Sequence, residues 1–257
     1  MEDAWLISSE THSLKEGEIH VWRASLDQND LSAAALLNIL SPDEKHRSDK
    51  FRFDADRSRF IISRGILRKI LSGYLHKSPK QICFSYGNFG KPALIAGGGL
   101  SFNLSHSQGL ALYAVTRNRE IGIDVESINE NVAIERIAKK VLTQSETLFL
   151  NALTPRLRPV VFYRFWTRRE AFVKASGKGL FITNDKTPVS LEVRKKEWSL
   201  FSLPVTFGYA AAVAAEGSVS NLRCWQYPNL DTDKKAFNQR TGLNTKECIH
   251  KSVLLSG

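Results

Sequence analysis

Asp124 and Glu126 close the apolar run IGIDVE at 121–126, and the alternation of a strand sends residues two apart to the same face. Two carboxylates side by side repel unless a proton or a cation lies between them, and hard oxygen donors suit Mg2+ or Mn2+. A third acid, Glu170, sits in FYRFWTRREAFVKASGKG, with Lys174 four residues on along the same helical face. Three carboxylates and a lysine are the residue types of a phosphate-handling metal site. They are equally the types that end a strand and form a helix-surface ion pair worth about 0.3 kcal/mol, and spacing alone leaves both readings open. In FNLSHS at 102–107, Ser105, His106 and Ser107 leave a strand and can offer side-chain and backbone donors to a phosphate, or can be a satisfied loop. In GNFGKP, Gly90 frees the backbone and Pro92 stiffens the turn around Lys91, which lets a cofactor approach closely or makes a plain exposed turn. The chain has no G-x-x-x-x-G-K-[ST] loop, no G-x-G-x-x-G fingerprint and no nucleophile elbow, so nucleoside triphosphatase, dinucleotide and Ser-His-Asp chemistry find no support.

These residues need elements to hold them. EIHVWRA at 18–24 alternates as a strand, and LSAAALLNIL at 31–40 reads as a short helix closed by Ser41-Pro42. From Asp54 to about His76, Phe60, Ile61, Leu67, Ile70, Leu71 and Leu75 recur at helical steps among arginines, and Gly65 inside that helix points to close packing. After Pro79 the pattern turns to strands: QICFSY, LSFNLSHS, GLALYAVT and REIGIDVE. Helices return with NVAIERIAKKVL, then a segment opened by the Thr143-x-x-Glu146 capping box, then one from about Val160 to Ser176 stopped at Gly177. VSLEVRKK, WSLFSL, FGYAAAVAA and SNLRCWQY read as closing strands, and past Tyr227 no period is sustained. The recurrence of helices and strands on either side of about residue 119 hints at two similar halves with a cleft between them.

The chain has 257 residues, 42% hydrophobic and 24% charged, which is a folded composition with room for a sizeable core. Cys83, Cys224 and Cys248 are odd in number and far apart, so they suggest neither a disulfide framework nor a metal knuckle, and a reducing, cytoplasmic setting is expected. The longest apolar run, YAAAVAA, falls far short of the roughly 20 residues that span a bilayer, and the acidic N-terminus is unlike a signal peptide. Thirty-six Lys and Arg against 26 Asp and Glu give a net charge of +10, of which residues 229–257 carry only +2. A basic body of this kind calls for an anionic partner: nucleic acid, a membrane surface, an acidic protein or a polyanionic cofactor.

Four strings in order, GKP at 90–92, FNLSHS at 102–107, IGIDVE at 121–126 and FWTRREAFVKASGKGL at 165–180, resemble the 4'-phosphopantetheinyl transferases of the Sfp type. SPDEKHRSDKFRFDADRSRFIISRGILR at 41–68 is similar to that family's basic entry segment and first long helix. The resemblance covers about residues 18–227. It implies an α+β fold of two pseudo-twofold-related halves, 1–119 and 120–228, each a long helix on a small, mostly antiparallel sheet, with the site in the cleft and 229–257 as a poorly ordered tail. It implies transfer of the 4'-phosphopantetheine arm of coenzyme A to a serine of an apo acyl, peptidyl or polyketide carrier protein, releasing adenosine 3',5'-bisphosphate. Asp124, Glu126 and Glu170 would hold Mg2+, or Mn2+, and Glu170 would take the serine proton directly or through a metal-bound water. Lys174, His106 and Ser105 would contact phosphate oxygens, Lys45 and Arg59 the 3'-phosphate with Arg47 or Lys50 beside them, and Gly90, Lys91 and Pro92 the adenine. Arg169 stands where the family has Lys. A monomer with no nucleic-acid or membrane partner is implied, since two halves already form a pseudo-dimer. The alternative for the same acidic residues and charge is a metal-dependent nuclease or other nucleic-acid phosphodiester enzyme.

Overall fold

The computed structural model describes residues 5–8, 10, 13–28, 30–87, 90–177 and 198–230. The first part of the chain supplies β1 (Leu6–Ile7), β2 (Glu18–Ser25), α1 (Asp30–Leu37), α2 (Pro42–Ser48) and α3 (Asp54–Leu75). The strands β3 (Phe84–Tyr86), β4 (Pro92–Leu94), β5 (Leu100–Ser107), β6 (Leu110–Arg117) and β7 (Ile121–Ser127) follow. Then come α4 (Ile134–Val141), α5 (Gln144–Ala152), α6 (Arg158–Ser176), β8 (Trp198–Ser202), β9 (Tyr209–Glu216) and β10 (Asn221–Gln226). The expected strand at VSLEVRKK and residues 231–257 of the tail lie outside the described residues.

The fold is α+β. One sheet runs β1-β10-β2-β6-β5 and a second runs β7-β9-β8, with β3 and β4 pairing as a separate ribbon. The second sheet is antiparallel throughout, whereas β10 lies parallel to both β2 and β1. Strand alternation sorts the core into layers. In β6, Ala111, Tyr113 and Val115 pack against Ile62, Ile66 and Ile70 of α3, while Leu110, Leu112 and Ala114 face Ile123, Val125 and Val213 of the second sheet. The far face of the second sheet, Ala212 and Ala214, packs on Ala171, Phe172 and Ala175 of α6. The stacking order is therefore α3, first sheet, second sheet, α6, with each long helix covering the outer face of one sheet.

Two close approaches fix this stack. A Cβ on Gly65 would lie 2.7 Å from the Leu36 side chain, where α1 crosses α3, which accounts for a glycine inside that helix. A Cβ on Gly122 would lie 2.1 Å from the Ala171 carbonyl oxygen and 2.4 Å from the Ala175 nitrogen, so β7 and α6 meet backbone to backbone. Ser41-Pro42 opens a helix instead of closing one: proline takes the first turn of α2, and Ser41 and Glu44 form its capping box. Helix α6 likewise starts at Arg158, with Pro159 inside its first turn, and ends on Gly177 at φ 67°.

Candidate active site

Edge strands β5 and β7 lie side by side without a backbone ladder between them, and side chains make the join. Asn103, Ser105 and Ser107 alternate along β5 on the face turned to the second sheet. The Ile123 N–H donates to Asn103 Oδ1 at 2.9 Å, Ser105 Oγ donates to Asp124 Oδ1 at 3.0 Å, and Ser107 Oγ donates to Glu126 Oε2 at 3.1 Å. The Ser127 N–H also donates to Ser107 Oγ, at 3.0 Å. The period of two in N-x-S-x-S thus matches the period of two in D-x-E, and a polar seam sets both carboxylates.

Above that seam α6 contributes Glu170 and Lys174. Lys174 does not pair with Glu170 along its own helix: its ammonium donates to Asp124 Oδ1 at 2.7 Å, Ser105 Oγ at 3.0 Å and the Ile123 carbonyl at 3.3 Å. Asp124 is 3% exposed and its Oδ2 has no hydrogen-bond partner; the same holds for Oε1 of the buried Glu170. Burial, then the charges of Asp124 and Glu126, push the Glu170 carboxyl up to about 7 against the pull of Lys174. Burial and then Asp124 also raise Glu126. Each shift reflects carboxylates desolvated and crowded together, with one lysine offsetting part of the repulsion.

His106 sits on β5 with its side chain on the opposite face from Ser105. Desolvation by the surrounding protein, then the cations Lys174 and Arg47, lower its pKa, so it favours the neutral ring and faces positive charge. Arg47 itself lies over the Phe60 ring at 5.5 Å. On α2 Lys45 and Arg47 are about 200° apart, and Lys45 instead lines a cleft of about 490 Å³ with Asp43, Lys80 and Cys83. Arg59 forms an exposed ion pair with Asp27 at 2.9 Å. Asp124, Glu126, Glu170, Lys174 and Ser105 are thus brought together, whereas His106 projects from the other face of β5 and Lys45 and Arg59 engage other neighbours.

Gly90, Lys91 and Pro92 are also anchored differently from a bare cofactor loop. Lys91 donates to the carbonyls of Lys174 at 2.8 Å and Ile121 at 3.2 Å, and to Glu120 Oε2 at 3.3 Å, so it ties this segment to β7 and the end of α6. Gly90 holds φ 73° and donates its N–H to the Gly87 carbonyl, and Pro92 begins β4. Arg169 pairs with Glu146 at 3.7 Å. Asn103 is not among the residues the sequence singles out, although the alternation through FNLSHS carries it in plain view, and Arg47 enters there only as an alternative to Lys50.

Among the described residues, no group of three or more His, Cys, Asp and Glu side chains is arranged to hold a metal ion. The donor chemistry nevertheless fits a hard divalent cation: two unpartnered, buried carboxylate oxygens, on Asp124 and Glu170, beside a third carboxylate whose charge is disfavoured. No helix among the described residues is long and apolar enough to cross a membrane.

Comparison with known proteins gives two family matches. Residues 120–214 match the 4'-phosphopantetheinyl transferase superfamily, and residues 21–118 match the 4'-phosphopantetheinyl transferase N-terminal family. The 4'-phosphopantetheinyl transferase HetI of Nostoc sp. is 38% identical over 237 residues, covering 88% of this chain and all of that protein. The 4'-phosphopantetheinyl transferase Sfp of Bacillus subtilis is 28% identical over 155 residues, covering 60% of this chain and 68% of its own. The 4'-phosphopantetheinyl transferase AcpT of Salmonella typhimurium is 34% identical over 141 residues, covering 54% and 72%. The nucleic-acid alternative gains no support from these relatives.

Proposed function

The chain belongs to the 4'-phosphopantetheinyl transferase superfamily and is an enzyme of that class, and from this premise we propose that it moves the phosphopantetheine arm of coenzyme A onto a serine of an apo carrier protein. The serine Oγ forms the new bond to the β-phosphorus, the phosphoanhydride P–O bond breaks, and adenosine 3',5'-bisphosphate leaves. The observation that carries the reading is the convergence of Asp124, Lys174 and Ser105 beside unpartnered oxygens of Asp124 and Glu170. Asp124, Glu126 and Glu170 would hold Mg2+, whose chemistry when bound is to neutralise charge on the pyrophosphate as it breaks.

The remaining roles belong to side chains. Lys174, already aimed at Asp124 and Ser105, supplies positive charge to a pyrophosphate oxygen. His106, whose neutral ring is favoured by burial and then by the positive charges of Lys174 and Arg47, takes up a proton more readily once a phosphate lies beside it, and Arg47 is the better candidate of the pair Arg47 and Lys50 for a second phosphate. Glu170 accepts the serine proton: a buried carboxyl beside two other acids is a stronger base than a free one. The cleft is taken to lie between pseudo-twofold halves 1–119 and 120–228, with β10 of the second crossing into the sheet of the first, and the protein to act as a monomer.

Incubation with coenzyme A, Mg2+ and an apo carrier is expected to raise the carrier's mass by one phosphopantetheinyl group. Asp124→Ala is expected to abolish the gain while retaining the fold. No mass change with fatty acid, polyketide and nonribosomal peptide carriers, together with Mg2+-dependent cleavage of DNA or RNA, would refute the reading.

A further inference from the structure

Away from the reacting groups, a buried carboxylate joins α2 to α3 and, through Arg64, to β3. Glu44 is 1% exposed and accepts on both oxygens. Its Oε1 takes Arg64 Nε at 3.0 Å, and its Oε2 takes Arg68 Nε at 2.7 Å together with the N–H and hydroxyl of Ser41 at 3.1 and 3.0 Å. One side chain thus completes the capping box of α2 begun by Ser41 and is the anion between two guanidiniums of α3. Arg68 spends its other nitrogen on the carbonyls of Pro79 and Ile82, at 2.9 and 2.8 Å. Arg64 continues to the Tyr86 hydroxyl at 2.5 Å, and the Phe84 ring lies under both arginines at 4.9 and 5.2 Å.

Apolar residues of similar volume would often serve stability as well as a buried Arg-Glu-Arg triad, because desolvation offsets most of its Coulomb attraction. What apolar packing would not supply is direction. The triad fixes α2, which carries Arg47 over the Phe60 ring at 5.5 Å, against β3, whose last residue Tyr86 precedes Gly87, and the Gly87 N–H donates to the Lys91 carbonyl at 3.1 Å. Lys91 is in turn held to the end of α6.

We propose that Glu44 is a positioning residue for coenzyme A: with Arg64 and Tyr86 it fixes α2 relative to the hydrogen-bonded pair Gly87 and Lys91, so that α2 and Lys91 both meet the nucleotide end of the cofactor. The proposal rests on the function proposed above. Tyr86 is exposed, so Tyr86→Phe removes one hydroxyl from the network without opening the core.

Tyr86→Phe and Glu44→Gln are to be assayed for coenzyme A affinity by calorimetry, for KM and kcat in the carrier assay, and for thermal midpoint. Tyr86→Phe is expected to raise both the dissociation constant and the KM for coenzyme A by about threefold to tenfold, with kcat, carrier KM and thermal midpoint close to wild type. Glu44→Gln is expected to shift coenzyme A affinity further. Unchanged coenzyme A affinity in Tyr86→Phe, in an enzyme that still transfers, would overturn the positioning role and leave the function standing. A wild-type protein that neither binds coenzyme A nor modifies a carrier would overturn both.

Discussion

Glu170 carries a pH signature that belongs to the apo protein. Its carboxyl is raised from 4.5 to about 7 in the fold, chiefly by burial, so the folded state holds its proton more tightly than the unfolded chain does. Below about pH 4.5 both states are protonated and the group costs nothing; as pH rises towards 7 the folded state loses stability, and above 7 the penalty is complete. Glu170→Gln is therefore expected to match wild type near pH 4.5 and to exceed it by about 3 kcal/mol at pH 8, in urea denaturation with a chelator present. A difference that stays constant with pH would contradict this. The facing of Asp124 and Glu126 was legible from alternation alone. The partner of Lys174 was not, because a four-residue step sees only the helix that bears it, whereas its ammonium reaches Asp124 on a neighbouring strand 50 residues away in sequence.

At the scale of elements, the approach of β7 to α6 decides whether acids on the strand and acids on the helix can share a site. Gly122 stands two residues before Asp124, on the face that meets α6, and an added methyl would collide with backbone at Ala171 and Ala175, which has no rotamer to yield. Gly122→Ala is expected to cost about 3 kcal/mol in denaturant unfolding and to weaken activity beyond that loss, since Asp124 moves with the strand. Tolerance of the methyl with full activity would show that the contact is looser than its geometry implies. The long helices and most strands could be read from periodicity, with Gly177 marking the end of α6. Helix α2 carries the same start signature as α5, Ser41-x-x-Glu44, and a proline at its first position, but Ser-Pro also stops a preceding helix, and the Glu44 side chain folding back on Ser41 decides between the two.

For the whole molecule, a net charge of +10 predicts that encounter with an acidic carrier weakens with salt. Carrier KM is expected to rise by about tenfold between roughly 50 and 300 mM NaCl with kcat changing far less, measured at saturating coenzyme A; a salt-independent KM would assign the charge another purpose. The order of strands in the first sheet was beyond local pattern, for periodicity marks a strand but not its neighbour. There β10 enters parallel between β1 and β2, and Trp225 stacks on Trp22 at 5.1 Å between ring centres. This has a consequence for how the protein is made. Two of the pairings in the first sheet, and part of its core, wait for residues 221–226, so the earlier segment cannot finish folding while the later one is still being synthesised. A ribosome-bound chain stalled before Asn221 would leave the β2 edge open and Trp22 without its stacking partner, and that interval is when the nascent protein most needs a chaperone.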